Sequence, residues 1–224
     1  MKDYWEERFI AEGKIWGDSP SKTALYARDL FKNHQVRNIL IPGAGYGRNA
    51  GYLEAEGFKV SGIEISETAL RTARQNNQKI IYYQGSVLEM PFAEFFYDAI
   101  YCFNVLHLFR ERDRLFFIEK CLNQLKENGV VFFTVFSEQE SSFGKGNCVE
   151  MNTYESKPGR PVHYFTESDL EEHFKQFEVI ETGLMEDPEN HGSEGPHIHL
   201  VRYIFAQKKT ISQFDGDKYN CRKR

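Results

Sequence analysis

Short apolar runs alternate with amphipathic stretches along most of this chain. Runs of strand length lie at 36–42, 58–64, 80–84, 97–103, 130–136, 177–182 and 198–206. Helical spacing is clearest at 111–127, where leucine and isoleucine recur from Leu115 to Leu125 and Asn128-Gly129 is expected to end the helix. Strands that alternate with helices in this way predict an α/β fold. We expect a Rossmann-like, seven-stranded, mostly parallel sheet with helices on both faces.

Two stretches interrupt this alternation. Residues 1–35 precede the first strand, and residues 137–165 form a polar connection that contains several Gly and Ser residues. Long connections of this kind are usually functional covers or disordered segments. We therefore predict a cofactor or substrate cover at 1–35, a main domain at 36–208 with a lid insertion at 137–165, and a polar tail at 209–224.

Composition narrows the classes of partner. The chain has 28 basic and 33 acidic residues and a formal net charge of −5, which argues against nucleic-acid binding. Four cysteines without a CxxC pair predict a reduced, cytoplasmic protein. The charged N-terminus does not resemble a secretion signal, and no apolar run approaches the ~20 residues that cross a membrane, so no membrane association is expected.

A glycine cluster follows the first strand in the segment ILIPGAGYGRN, with Gly43, Gly45 and Gly47. Glycines permit a sharp turn and a close approach of a ligand, and the following helix presents free N–H groups to an anion. A dinucleotide site would need G-x-G-x-x-G, and here the third glycine comes one residue early. Glu64 ends the second strand, where a carboxylate can accept both hydrogen bonds of a ribose diol. This combination favours S-adenosylmethionine (SAM) over a simple tight turn.

With these residues the sequence resembles the class I SAM-dependent methyltransferases. GAGYG at 43–47 matches the glycine motif of that family, QGSVLEMPF at 84–92 resembles its adenine segment, and YDAIYCFNVLHLF at 97–109 its fourth-strand motif. The resemblance implies SAM as the cofactor and an antiparallel last strand. The residues that we expect to contact the cofactor are Gly43, Gly45, Gly47, Glu64, Ile65, Ser86, Val87, Phe103 and Trp16.

The chain departs from the family pattern at two positions. Ile41 stands two residues before the first glycine and Ser86 follows the glycine of the adenine segment, where the family often has acidic residues. We expect the Ser86 hydroxyl and the Val87 N–H to bind adenine, and main-chain carbonyls near Gly43 and Phe103 to hold the ammonium group. The Pro42-Gly43 pair and the tryptophans near the N-terminus resemble the thiopurine and tellurite-resistance branch, which implies a sulfur, selenium or tellurium acceptor.

Several polar and aromatic residues are candidates for the acceptor site. His107 follows the fourth strand and is a candidate general base, although a histidine at this place need not transfer a proton. The other predicted acceptor contacts are Tyr46, Tyr154, His163 and Tyr164, some of which could instead be ordinary loop residues. His197 and His199 share a strand face and lie near His191, but no third ligand has a suitable spacing, so no metal is predicted.

The function predicted from these features is methyl transfer from SAM to a small-molecule acceptor. A module that binds SAM without catalysis is one alternative, and an NAD-dependent oxidoreductase is another, because both share the strand–glycine–acid layout. The residues do not specify the acceptor or the oligomeric state.

Overall fold

The computed structural model of the chain describes residues 2–92, 95–190 and 195–209. Its helices are α1 (Lys2–Glu12), α2 (Lys22–Asn33), α3 (Arg48–Ala55), α4 (Glu67–Asn76), α5 (Glu111–Gln124) and α6 (Glu167–His173). Its strands are β1 (Asn38–Pro42), β2 (Lys59–Glu64), β3 (Ile81–Gln84), β4 (Tyr97–Phe103), β5 (Leu125–Phe136), β6 (Asn147–Glu150), β7 (Thr153–Lys157), β8 (Arg160–His163), β9 (Phe177–Asn190) and β10 (Pro196–Lys208). Short 3-10 turns, Val87–Glu89 and Leu106–Leu108, follow β3 and β4.

Seven strands form one sheet in the order β3-β2-β1-β4-β5-β10-β9. Strands β1 to β5 pair in parallel, and β10 is antiparallel to both of its neighbours. The predicted Rossmann-like fold with an antiparallel last strand is thus confirmed. Because β1 lies beside β4 although the two are not consecutive, the strand order reverses there and a crevice opens at their carboxyl ends.

Both faces of the sheet are covered, which is why its central strands have consecutive apolar residues, as at 39–41 of β1 and 130–133 of β5. Along β1, Ile39 and Ile41 pack on one face with Phe31 of α2, while Leu40 packs on the other face with Phe117 of α5. Helices α2, α3 and α4 contribute to the first layer, and α5 and α6 contribute to the second. Ser66 caps α4 as its sequence suggests, since its side chain accepts a hydrogen bond from the N–H of Ala69.

Helix α5 differs from the prediction in its buried face and its end. Leu115 is 46% exposed, and Arg114 is buried in its place. The Arg114 guanidinium donates a hydrogen bond to the main-chain oxygen of Phe109 at 2.7 Å and faces the Phe165 ring, which compensates for its burial. The helix ends at Gln124 rather than at Asn128-Gly129, because β5 begins directly at Leu125. Asn128 has φ 59° and lies in the first part of β5, where the pairing with β4 is irregular.

The two stretches that interrupt the alternation are both structured. Residues 147–163 form a three-stranded antiparallel sheet, β6-β7-β8, hereafter the small sheet, which packs on the 3-10 turn after β4. Within 1–35, α1 lies against α4, whereas α2 belongs to the helical layer of the main sheet. His191 lies outside the described residues, and so does the predicted tail beyond Lys209. In the part of the chain that is described, no helix has the length and apolar character needed to cross a bilayer.

Candidate active site

A cavity of about 650 Å³ opens at the carboxyl ends of β1, β2 and β4. The glycine loop after β1 and the end of β2 line one side, and the residues after β4 and β5 line the other. Side chains of α1 and of the loop after it cover the first side, and the small sheet borders the second. Hereafter the two sides are called the cofactor end and the acceptor end.

The glycine loop is held by main-chain hydrogen bonds to β2. The N–H groups of Gly43 and Ala44 donate to the Ile63 oxygen at 2.8 and 2.9 Å. Gly43 has φ 72°, and a Cβ atom there would lie 2.4 Å from the Val105 Cγ2, so both the conformation and the contact require glycine. Gly47 does not line the cavity. It precedes α3, and a Cβ atom there would lie 2.6 Å from the Tyr82 hydroxyl.

Glu64 is the buried acid of the cofactor end. Its side chain accepts hydrogen bonds from the N–H groups of Gly45 and Ser66, both at 2.8 Å, so the carboxylate also stabilises the glycine loop. Burial raises the pKa of Glu64, although these hydrogen bonds oppose the shift. The carboxylate lines the cavity in a fixed orientation, which fits the predicted contact with a ribose diol.

Ser86 and Val87 line the cavity beside Glu64, where the sequence places the adenine segment. The Ser86 hydroxyl accepts the N–H of Leu88 at 3.2 Å, and the Glu89 carboxylate accepts the N–H of Ser86 at 3.1 Å. This reciprocal pair is a capping box for the 3-10 turn Val87–Glu89. The Ser86 hydroxyl therefore still has its own proton to donate to a ring nitrogen.

Trp16 is predicted to contact the cofactor, and in the structure it lines the cofactor end. Tyr46 fixes its position. The two rings stack at 6.1 Å with planes 16° apart. The Tyr46 hydroxyl accepts the main-chain N–H of Trp16 at 3.1 Å and donates to the oxygen of Gly17 at 2.7 Å. Burial raises the pKa of Tyr46 to about 12, so the hydroxyl keeps its proton at neutral pH. Tyr46 lines the cavity, but its polar group is used to hold the cover.

Arg48 and Glu189 join the two ends of the cavity. The Arg48 side chain is 9% exposed and donates to both Glu189 oxygens, at 2.6 and 2.8 Å, and the Glu189 side chain is 2% exposed. Burial raises the pKa of Glu189, with Arg48 opposing the shift. Arg48 also donates to the Trp16 oxygen at 3.2 Å. This pair has no local signature in the sequence, because its members lie 141 residues apart.

At the acceptor end, His107 and Phe136 form an aromatic wall with His199. The His107 ring stacks on Phe136 at 4.2 Å, and the His199 ring stacks on Phe136 at 4.7 Å. Burial lowers the pKa of His107 well below its usual range, with His199 and Arg160 adding to the effect, so the ring is neutral at pH 7. Among the described residues the His107 Nδ1 has no hydrogen-bond partner.

Three residues predicted as acceptor contacts, Tyr154, His163 and Tyr164, do not line the cavity. His163 is buried, with its Nδ1 2.8 Å from the Thr153 hydroxyl and its Nε2 2.6 Å from the Asp169 carboxylate. The Tyr164 hydroxyl donates to the Ser142 main-chain oxygen, and the Tyr154 ring packs against Tyr164. These side chains hold the small sheet in place instead.

Basic residues not identified from the sequence surround the acceptor end. Lys145, Lys157 and Arg160 line it, and within the described part of the chain none of the three forms an ion pair. Arg160 donates to the Tyr4 hydroxyl at 3.0 Å, while its buried Nε has no partner among the described residues. The pairing of β7 with β8 places Lys157 beside Arg160, and β8 packs on the turn after β4.

Sequence comparison agrees with the geometry of the cofactor end. Residues 40–133, which contain the glycine loop, Glu64, Ser86 and His107, match a family model described as a methyltransferase domain. A ubiquinone biosynthesis O-methyltransferase of Rickettsia akari is 29% identical over 182 residues, which cover 74% of this chain and 67% of that protein. The chain spans about two fifths to two thirds of the length of the curated relatives it matches.

Two solved structures share the fold. A chain from work on the conversion of a disulfide bond into a thioacetal group during echinomycin biosynthesis superposes with a TM-score of 0.73 and 14% identity, and 100% of each chain is covered. The 1,6-didemethyltoxoflavin-N1-methyltransferase of Burkholderia thailandensis, with bound 1,6-didemethyltoxoflavin and S-adenosylhomocysteine, gives a TM-score of 0.68 and 18% identity over 93% of this chain and 87% of that one. At these identities the similarity concerns the fold.

Proposed function

We propose that this chain is a class I SAM-dependent methyltransferase and that it methylates an oxygen or nitrogen atom of a small, planar, anionic acceptor. The observation that carries the proposal is one continuous cavity, lined by Glu64 and the glycine loop at one end and by His107, Phe136 and His199 at the other. Its volume of about 650 Å³ is in the range of small-ligand sites. A cofactor and a small acceptor would meet near His107.

The lining of the acceptor end supports a planar, anionic molecule. Leu108 and Val162 add apolar surface beside the wall of His107 and Phe136, and flat rings pack well against such a wall. Lys145, Lys157 and Arg160 supply positive charge that no described carboxylate neutralises. Arg160 is half-buried and its Nε has no partner among the described residues, so an acidic group on the acceptor would gain a charge-assisted hydrogen bond there, while Lys145 and Lys157 add exposed positive charge.

The protein contributes to this reaction mainly by positioning the two reactants. SAM supplies an electrophilic methyl group on a sulfonium, and the chain must hold the acceptor atom in line with it. An O–H or N–H acceptor loses a proton as it gains the methyl group. His107 is neutral and its ring lines the cavity, so it can accept a hydrogen bond from that group.

A soft sulfur, selenium or tellurium acceptor is the second candidate. It follows from the resemblance to the thiopurine and tellurite-resistance branch, and the structure from echinomycin biosynthesis also concerns sulfur chemistry. A thiolate or a metalloid anion needs no proton acceptor. Such an acceptor would therefore leave the neutral ring of His107 without a role in proton transfer.

A binding measurement followed by a turnover panel tests the proposal. Calorimetry is expected to show binding of SAM and S-adenosylhomocysteine and none of NAD. We expect transfer to 3,4-dihydroxybenzoate to exceed transfer to uncharged catechol by about 10-fold in kcat/KM, the size of one charge-assisted hydrogen bond. Turnover of thiols, selenite or tellurite alone would establish the second candidate, and a preference for uncharged catechol would overturn the anionic acceptor.

A further inference from the structure

Two histidines and a glutamate converge at the acceptor end from distant parts of the chain. His197 and His199 alternate along β10 and so lie on the same face of the sheet. Glu140 follows β5 in a turn that folds back over β10, because the Ser137 hydroxyl donates to the Leu200 oxygen at 2.7 Å and the Glu140 N–H donates to the Ser137 oxygen at 3.0 Å. All three side chains line the cavity.

The donor atoms of this group are arranged at the spacing of metal ligands. The Glu140 Oε1 lies 3.3 Å from the His197 Nε2 and 3.2 Å from the His199 Nδ1, and the three ligand atoms lie within 4.8 Å of one another. Two ligands bound at about 2.0–2.1 Å to a tetrahedral ion are roughly 3.4 Å apart. The Glu140 Oε2 accepts the N–H of Leu200 at 2.7 Å, which leaves Oε1 directed at the two rings.

We propose that Glu140, His197 and His199 bind a divalent first-row transition-metal ion, Zn²⁺ or Fe²⁺, at the acceptor end of the cavity. Two imidazoles and one carboxylate are a donor set that suits these ions. The Glu140 side chain is only 1% exposed, and its carboxylate is held by the Leu200 N–H beside the two imidazoles, so the donor atoms are already oriented toward one another. Stacking on Phe136 keeps the His199 ring in the orientation that the site requires.

The role of the metal rests on the proposed function. Three protein ligands leave at least one coordination position open, and that position faces the cavity because all three ligands line it. A catecholate oxygen or a carboxylate of the acceptor would fill it, while Arg160 and Lys157 would hold the remaining negative charge. The site therefore selects acceptors that chelate a metal, and it would fix the methylated atom by fixing the acceptor's orientation.

Metal binding is tested on the whole chain after treatment with a chelator. Titration with Co²⁺ is expected to produce visible absorption that saturates at one ion per chain, and Zn²⁺ is expected to displace it. Glu140→Gln and His199→Gln each remove one ligand, and we expect affinity to fall by at least about 100-fold, since outer-shell changes alone cost about 10–100-fold. The control is His34→Gln, an exposed histidine beside the opposite ends of the strands, with unchanged binding expected.

Two further measurements keep the result interpretable. His197→Gln changes a side chain that is 41% exposed and should fold normally, and SAM calorimetry reports folding of every variant. Equal Co²⁺ or Zn²⁺ affinity in the unmodified chain, His197→Gln and His199→Gln would overturn the site. A change of the Co²⁺ spectrum on addition of 3,4-dihydroxybenzoate would support coordination of the acceptor, and an unchanged spectrum would overturn that role.

Failure of the metal site and failure of the proposed function give different results. A chain that binds SAM and methylates 3,4-dihydroxybenzoate equally well with and without a chelator retains the proposed function and loses the role of the metal. A chain that binds Co²⁺ through Glu140 and His199 but methylates only soft acceptors retains the metal site and loses the proposed function.

Discussion

The cofactor end and the acceptor end of the cavity are built in different ways. At the cofactor end, the loop 43–49 and the residues 64–66 and 85–88 each directly follow a parallel strand and are held largely by main-chain hydrogen bonds. At the acceptor end, the side chains come from the turn after β4, the end of β5, the small sheet and β10. Here it is side chains that meet, and they come from distant parts of the chain: Glu140 and His199 are 59 residues apart, and Tyr4 and Arg160 are 156 apart.

This difference separates what the fold provides from what this chain adds. The carboxyl ends of parallel strands present main-chain groups wherever the sheet forms, so the cofactor end follows from the fold itself. The acceptor end depends on which side chains the insertions and the antiparallel strands carry, and these can change without altering the sheet. Specificity for the acceptor therefore resides in β8, β10 and the turn containing Glu140.

The largest effect is expected where the two ends meet. Arg48→Met leaves the buried Glu189 carboxylate without its cation, and we expect the free energy of unfolding to fall by about 3–5 kcal/mol, as for other broken buried pairs. Urea denaturation measures the loss. Arg110→Met is the matched control, because Arg110 is 52% exposed in its pair with Glu155 and should cost at most about 1 kcal/mol. Equal losses would show that the two ends are not joined through Arg48.

Glu64→Ala tests the cofactor end alone. We expect SAM to bind about 10- to 100-fold more weakly, through the loss of about 1.5–3 kcal/mol of hydrogen bonds to a charged group. The N–H groups of Gly45 and Ser66 also lose their acceptor, so the free energy of unfolding should fall by about 1–3 kcal/mol. Calorimetry and urea denaturation measure the two effects, with the exposed Glu67→Ala as the control. Unchanged SAM affinity would mean that the ribose is held elsewhere.

The same contrast explains how much the sequence could predict. The period of apolar residues, the spacing of the glycines and an acid at a strand end are local signals in the sequence. The sheet and the cofactor residues from Gly43 to Phe103 could therefore be predicted. All of these residues except Gly47 line the cavity. Gly47 belongs to the same motif, but it faces Tyr82 of β3 and Ala73 of α4 and not the cavity. The spacing of the glycines does not reveal this packing, so the position of Gly47 could not be predicted.

The features that could not be predicted depend on contacts between residues distant in sequence. Leu115 fits the helical period as well as Arg114 does. Burial of Arg114 is made favourable by partners distant in sequence, namely Glu150, the Phe165 ring and His173. His197 and His199 were paired correctly on one strand face, but Glu140 lies 57 residues before His197, beyond any local spacing rule. The polar composition of 137–165 predicted a cover, and it contains no period from which the small sheet could be derived.

Arg160→Met tests the acceptor end. We expect KM for 3,4-dihydroxybenzoate to rise about 10-fold, because one charge-assisted contact is lost, while the Kd of SAM stays unchanged. Steady-state kinetics with catechol as the uncharged acceptor should show a much smaller change. Arg112→Met, which removes an exposed charge away from the cavity lining, is the matched control. An equal rise in KM for both acceptors would remove Arg160 from charge recognition.

The insertion 137–165 is expected to respond unevenly to ligands. Its ends are anchored, since Glu138 pairs with Arg202 at 2.6 Å and Tyr164 donates to the Ser142 oxygen at 3.1 Å. The intervening stretch begins with Gly144, which has φ 78° and open space around it, as suits a hinge. We propose that 144–160 closes as a lid. Hydrogen exchange there should slow when S-adenosylhomocysteine and 3,4-dihydroxybenzoate are both bound, and identical exchange with and without ligands would identify a fixed part of the fold.

The smallest expected effect is a difference in pH dependence between Glu64 at the cofactor end and His163, which supports the small sheet beside the acceptor end. Burial lowers the pKa of His163, which supports the small sheet, and burial raises the pKa of Glu64. A histidine whose pKa is lowered by folding contributes stability above its unfolded value of about 6.5, and this contribution is lost as the pH falls. A carboxyl whose pKa is raised by folding acts oppositely, and its neutral form contributes most below about 4.3.

These opposite signs can be measured with two variants. Urea denaturation of the unmodified chain, His163→Gln and Glu64→Gln at pH 7 and about pH 5 gives the stability difference of each variant at each pH. On acidification the unmodified chain should lose stability relative to His163→Gln and gain it relative to Glu64→Gln, by about 1 kcal/mol or less in each case. Common effects of other titrating groups cancel in these differences, because each variant changes one group. If both differences moved in the same direction, one of the two pKa shifts would have the opposite sign to the one that burial produces.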